Sequence, residues 1–265
     1  MINYITLPQE LINNKNNFHY KLFDFDDIHQ FKLFLFILAK VTVIYKTNKK
    51  RIKGTQSFHI SEIFTNNDVL LKGSMTYEKI KKFINGLDTP FFKEISYSNK
   101  EVHFKISYQY IKLLLSAESH YCFDFQQLKG VRDVRAAKLQ LLLGIYKKSG
   151  FFHLNYLFKV LDLNKITRRD RKIYKIKHCF NSLGVEFDYK HPVNQYVKKN
   201  DGDYKFYYNL EPKRNDNEAL DDDKLIDDIF NADDLFIDDN EVDESLISSS
   251  NLLLVNEVIY GNNRP

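Results

Sequence analysis

At 265 residues, 43% hydrophobic and 15% aromatic, the chain has enough apolar material for one large core or two modest ones, which excludes a wholly disordered protein. Its two cysteines, Cys122 and Cys179, lie far apart, which excludes a disulfide-stapled scaffold and fits a reducing compartment. The net charge of +4 hides an asymmetry: residues 1–212 carry 35 basic and 20 acidic groups (net +15), whereas 213–265 carry 4 and 15 (net −11). A basic body with an acidic tail points to a polyanionic partner and to something that competes with it or recruits to it.

In chain order, residues 1–18 lack the basic cluster and apolar run of a signal peptide, and 1–23 read as an N-terminal extension. Acidic residues open a helix at 26–45, as suits a helix N-terminus. Its most apolar part, 31–45, is interrupted by Lys32 and Lys40 and falls short of the ~20 residues of a spanning helix, so no membrane segment is expected. A basic loop with Lys49, Lys50, Arg51 and Lys53 follows, then a strand at 57–60, a short helix opening at Ser61 and a helix at 74–87. Segments 91–97 and 102–108 flank Ser98-Asn99-Lys100 as a hairpin.

The order then recurs: a helix at 131–146, a strand at 151–154, a short helix at 155–161, a longer one at 167–183, and a hairpin of 185–190 with 204–210. Phe58-His59-Ile60-Ser61-Glu62-Ile63-Phe64 aligns with Phe152-His153-Leu154-Asn155-Tyr156-Leu157-Phe158. Tyr77, Ile80, Ile84 and Leu87 share the spacing of Ile173, Ile176, Phe180 and Leu183, one apolar stripe on each of two amphipathic helices. Helix, strand, helix, helix, hairpin is the order of a winged helix. The expected fold is therefore α+β: two tandem winged helices related by internal duplication (24–115 and 116–212) and a disordered acidic tail (213–265).

Opposite the apolar stripe of 167–183 stand Arg168, Arg171, Lys172 and Lys175, with Arg169 and Lys177 on the flanks. Thr167 is placed to cap this helix, Asp170 to complete a capping box, and Gly184 to end it. A recognition helix reads base edges from its N-terminal turns, and arginine makes the bidentate contact to guanine. An AT-rich coding bias would enrich Lys without function, but it should deplete Arg; three of the eight arginines fall within four positions here. The principal expected contact is therefore double-stranded DNA on this helix; a merely solvated basic face is the alternative. The first copy is weaker, with Lys72, Thr76, Lys79 and Lys82, where lysine suits phosphate better than base edges. A secondary contact and a plain surface both remain open there, as they do for Lys49, Lys50 and Arg51.

Two winged helices with these features resemble the iteron-binding replication initiators of bacterial theta-replicating plasmids. The resemblance rests on Phe123-Asp124-Phe125-Gln126-Gln127-Leu128, on Val134-Arg135-Ala136-Ala137-Lys138-Leu139-Gln140-Leu141-Leu142, on the basic helix, and on the terminal Tyr204-Lys205-Phe206-Tyr207-Tyr208. It departs at Gln140, where the family commonly has tyrosine, and at Leu141, where it has an acidic residue. It implies a bacterial, cytoplasmic protein that binds direct repeats at an origin as a monomer, helps to melt adjacent DNA and recruits host helicase machinery. It also implies dimers, formed through the first winged helix, that bind an inverted repeat and repress the protein's own gene; helix 26–45 and the first sheet would be the dimerisation elements. A winged-helix transcriptional repressor without a replication role is the alternative.

No Gly-x-x-x-x-Gly-Lys loop and no His-x-His occur, and no catalytic activity, cofactor or metal is expected. His120 and Cys122 would share a strand face but lack two further ligands, and His59 and His153 read as structural. In the tail, acids alternate with Leu225, Ile226, Ile229, Phe230, Leu235, Phe236 and Ile237. Such a segment solvates, folds back on the basic body as a DNA mimic, or carries a docking motif, Asp233-Asp234-Leu235-Phe236 resembling sliding-clamp peptides.

Overall fold

The computed structural model describes residues 4–13, 17–49, 51–65, 69–70, 75–146, 148–190 and 200–210. Strand β1 (Tyr4–Pro8) and the short helices α1 (Gln9–Asn13) and α2 (Asn17–Leu22) come first. Then follow helix α3 (Ile28–Thr47), a 3-10 turn (Arg51–Lys53), strand β2 (Thr55–His59), helices α4 (Ser61–Thr65) and α5 (Tyr77–Asn85), and strands β3 (Phe92–Ser98) and β4 (Glu101–Ile106). Helix α6 (Tyr108–Ser116), strand β5 (His120–Asp124) and a 3-10 turn (Phe125–Leu128) lead to helix α7 (Val134–Tyr146). Strand β6 (Gly150–His153), helices α8 (Leu154–Val160) and α9 (Arg169–Ser182), and strands β7 (Glu186–Lys190) and β8 (Lys205–Asn209) complete the described chain. The acidic tail, Lys50, Lys72 and the β7–β8 tip at 191–199 lie outside the described residues.

The α+β class holds, and the order helix, strand, helix, helix, hairpin occurs twice, as α3-β2-α4-α5-β3-β4 and α7-β6-α8-α9-β7-β8. Each set closes a three-stranded antiparallel sheet of matching order, β2-β4-β3 and β6-β8-β7. In each, the strand before the helix pair docks on the second hairpin strand, with Phe58 opposite Val102 and Phe152 opposite Phe206. Local chemistry sets the boundaries. Asp27 Oδ1 accepts from the amides of His29 and Gln30, both at 2.9 Å, and so starts α3. Asp133 does the same for α7 through Arg135 and Ala136. The first hairpin turns on Asn99 and Lys100, both with positive φ, which fits the two-residue turn that follows strand twist.

Helix α3 is the central core element. Phe31 and every residue from Leu33 to Ala39 are buried, and Phe34 packs on Phe25, Phe91 and Phe92. At 20 residues it is long and apolar enough to span a bilayer by length and composition, so the expectation that it was too short does not hold; the body of the protein covers it instead. Its C-terminal part is less covered, with Val43 exposed and Ile44 and Tyr45 half-buried. Lys32 sits fully buried on this helix and donates to the carbonyls of Val69 (3.2 Å) and Val131 (2.7 Å), tying the first helix pair to the entrance of the second set. Burial lowers its pKa to about 8.

The described part of the expected extension 1–23, residues 4–13 and 17–23, is built into the body. β1 pairs antiparallel with β5, Tyr4 opposite Asp124 through Pro8 opposite His120. Phe18 of α2 packs edge-on to Phe91 of the first set, and His19, fully buried, hydrogen-bonds Tyr156 of α8 at 3.0 Å. The N-terminal segment therefore bridges both sets. Where β5 crosses α7, Gly144 lets Phe123 approach: a Cβ there would lie 2.5 Å from the ring.

Candidate nucleic-acid interface

Helix α9 is anchored through its apolar stripe. Ile176, Cys179 and Phe180 are buried, and Phe180 stacks on Phe206 of β8 (centroids 5.8 Å) and packs on Phe187 of β7 (5.1 Å). Burial pushes the Cys179 thiol up to about 12, so this cysteine is a packing group. The helix stops at Gly184 (φ +66), where the amides of Gly184 and Val185 return to the carbonyls of Asn181 and Phe180. This anchoring leaves the opposite face to solvent, as the spacing required.

The N-terminus differs in detail from expectation. The helix starts at Arg169 with Arg168 as cap residue, and no side chain makes a capping bond, so Thr167 is an exposed loop residue and not the cap. Asp170 serves Arg168 instead. The guanidinium grips its carboxylate with two bonds, Nε at 3.2 Å and one terminal nitrogen at 2.7 Å, and this grip holds the Asp170 carboxyl below the ordinary carboxylate range.

The three arginines therefore have three situations. Arg168 is engaged by Asp170, but both partners are widely exposed, and such surface pairs are weak, so the guanidinium is easily released. Arg169 turns towards the hairpin. Its Nε lies 2.6 Å from Asp201 Oδ1, a terminal nitrogen reaches the Tyr189 hydroxyl at 3.4 Å, and its guanidinium stacks 4.2 Å from the Tyr204 ring. It ties the start of α9 to the loop end of the β7–β8 hairpin, so its guanidinium is already engaged. Arg171 is exposed, and among the described residues its side chain has no ion pair, so it is the arginine whose planar fork is presented outward.

The lysines sort likewise. Lys172 is half-buried with its ammonium 4.8 Å from the Phe158 ring of α8, and Lys177 lies 5.6 Å from the Tyr189 ring of β7. Both therefore stand on the flanks. Lys175 is exposed one turn beyond Arg171 and shares its face. Sequence reasoning missed Tyr174 and His178, which are exposed on that same face. Tyr174 follows Arg171 by three residues and His178 follows Tyr174 by four, and this spacing is the signal that could have found them.

The first set supports a weaker surface. Aligning the buried stripes places Ile80, Phe83, Ile84 and Leu87 on Ile176, Cys179, Phe180 and Leu183. On this alignment α5, which begins at Tyr77 with Thr76 as its cap (Oγ1 accepting from the Lys79 amide at 3.3 Å), lacks the first turns of α9 that carry the arginines. Thr76 is thus a structural cap. Lys79 and Lys82 line an open cleft of about 600 Å³ together with Asp24, Asp27 and Asp88, so carboxylates partly offset their charge. Arg51 heads the 3-10 turn that packs on α3, β4 and α6, and Lys49 lies over the Tyr45 ring at 5.3 Å.

Histidines 59 and 153 are structural, bonding through Nδ1 to Ser61 Oγ and the Gly202 carbonyl, each at 2.7 Å. Among the described residues no three His, Cys, Asp or Glu side chains gather as a metal site; His120 bonds the Leu114 carbonyl. Gln140 donates through its side-chain amide to Gln127 Oε1 at 3.2 Å.

In fold the chain is similar to a solved crystal structure of Pi initiator protein in complex with iteron DNA. The TM-score is 0.53 at 12% identity, over 79% of this chain and 98% of that one. No protein-family profile matches the chain, and no curated protein matches it in sequence.

Proposed function

We propose that this chain is a sequence-specific, double-stranded DNA-binding protein that initiates plasmid replication. The carrying observation is the outward face of α9, where Arg171, Tyr174, Lys175 and His178 project from a helix fixed to the body by its opposite side. Its support is the likeness in fold, over nearly all of that chain's length, to an initiator solved on iteron DNA. In this reading the two sets are tandem winged helices that arose by duplication. The N-terminal turns of α9 enter the major groove, where Arg171 contacts base edges. Arg168 releases Asp170 to reach the duplex, Lys172, Lys175 and Lys177 neutralise phosphates, and the first set adds a second, weaker contact. Binding to direct repeats as a monomer would promote melting of adjacent DNA and recruit host replication proteins. Dimers acting as autorepressors would use α3 and the first sheet. The protein works in the bacterial cytoplasm and catalyses no reaction itself.

The test is a footprint on the DNA flanking the gene, with wild-type protein and Arg171→Ala. Protection of repeated sites beside an AT-rich stretch, with lost discrimination in the variant, is expected. Equal binding of every sequence by both proteins would remove the assignment. An inverted repeat as the sole protected site would leave a repressor without a replication role.

A further inference from the structure

Tyr174 is 69% exposed on α9, three residues after Arg171 and four before His178, so the three side chains form one row along the solvent face. Among the described residues, the ring beside Tyr174 is that of His178, at 6.5 Å between centroids. Other tyrosines of this set lie on rings: Tyr146 on Phe152, Tyr189 on Tyr204 and Phe206, Tyr208 on Phe152. An aromatic side chain left in water forgoes the burial that its neighbours obtain, which is an unusual use of a bulky apolar ring unless something covers it. On the alignment of the buried stripes the equivalent position in the first set is Glu78, whose carboxylate would repel a nucleic acid. At that position the ring occurs on α9 and not on α5, whose own exposed tyrosine, Tyr77, lies against Phe64.

We infer that Tyr174 is a specificity-determining residue of the DNA contact, its ring covering the 5-methyl group of a thymine beside the base pair met by Arg171. This rests on the DNA-binding reading above. The major-groove edge of a duplex offers one apolar group, the thymine methyl; every other feature there is a hydrogen-bond donor or acceptor. A flat ring flanked by cationic and polar side chains matches that edge. Arg171 and Lys175 bind the fixed charges and polar edges around it, and the phenol tip stays in contact with water. Cytosine, which lacks the methyl, is rejected at this position.

The test begins with duplexes enriched by the wild-type protein from a pool with a randomised central segment. Each thymine of the enriched duplex is replaced in turn by deoxyuridine, which deletes the methyl and keeps the base pair. Wild-type protein should lose about fourfold in affinity at one thymine, the value expected for one buried methyl-sized group. Tyr174→Ala should bind the unmodified duplex several-fold more weakly and be indifferent to that deoxyuridine. Tyr174→Phe should behave as wild type, since the ring and not the hydroxyl makes the contact. Indifference of the wild type to every deoxyuridine would overturn the inference. So would effects of Tyr174→Ala and deoxyuridine that simply multiply, or a Phe variant that behaves like Ala. Arg171→Ala, run in parallel, separates the two levels: if the wild type enriches no sequence, the DNA-binding reading itself fails, and if Arg171→Ala binds the enriched duplex unchanged, the placement of the contact on α9 fails and the inference with it. If Arg171→Ala is impaired and Tyr174→Ala is not, only the role of Tyr174 falls. Circular dichroism checks that each variant is folded.

Discussion

Replacing Lys32 by Met should remove part of a gain in stability that the protein acquires in mild alkali. Lys32 is fully buried on α3, and burial lowers its pKa from 10.5 to about 8. In the unfolded chain the ammonium regains its ordinary value of about 10.4. Between these values the unfolded state holds a proton that the folded state has released, so stability rises with pH across the interval. Each pKa unit corresponds to about 1.4 kcal/mol, so moving from roughly pH 7 to pH 9.5 adds about 2 kcal/mol from this group alone. Buried Tyr110, Tyr146 and Tyr208, whose pKa values burial holds well above normal, destabilise only above about pH 10, where unfolded tyrosine ionises. Urea unfolding of both proteins at the two pH values measures the effect. The stability difference, wild type minus variant, should grow by about 2 kcal/mol between them. Lys138, which burial also brings to about 8, is common to both proteins and cancels in that difference. Its value at neutral pH is a separate matter, since Met also leaves the Val69 and Val131 carbonyls without their donor. Parallel curves for the two proteins would refute the link between burial and titration.

Three further outcomes follow from the geometry. Gly144→Ala should gain about 1 kcal/mol in helix propensity and lose more to the Phe123 ring 2.5 Å from the new carbon, for a net loss of roughly 1–2 kcal/mol in thermal unfolding. Phe123→Leu in the same chain should recover part of that loss, and a stabilised Gly144→Ala would show that the contact relaxes freely. Arg169→Ala should lower the thermal midpoint and weaken binding to all duplexes alike, because it frees the hairpin from α9. Arg171→Ala should leave the midpoint unchanged and cost about 1–3 kcal/mol at one base pair; identical behaviour of the two variants would erase the distinction between positioning and reading. Lys79→Ala with Lys82→Ala should lower the salt dependence of binding by less than two phosphate contacts, since Asp24, Asp27 and Asp88 share their cleft; a drop of two or more in the slope would make the first helix an equal partner.

The order of the two repeated sets and the faces of their helices were legible in the residues alone. The stripes Ile80-Ile84-Leu87 and Ile176-Phe180-Leu183 became buried faces, and Gly184 ended α9, because helical periodicity and left-handed backbone preference are local properties. The basic ridge around Arg171 was legible for the same reason. Tertiary structure alone decided what each cation does. Arg168, Arg169 and Arg171 look equivalent in the chain, but Asp201 and Tyr204, more than thirty residues downstream, claim Arg169, and Arg171 remains outward. The length and apolar composition of α3 suit a spanning segment, and only its neighbours Phe25, Phe91 and Phe92 make it a core. The N-terminal residues gave no periodic signal, yet β1 finds β5 more than a hundred residues away and His19 finds Tyr156. Such pairings depend on long-range closure, which short windows of sequence do not encode.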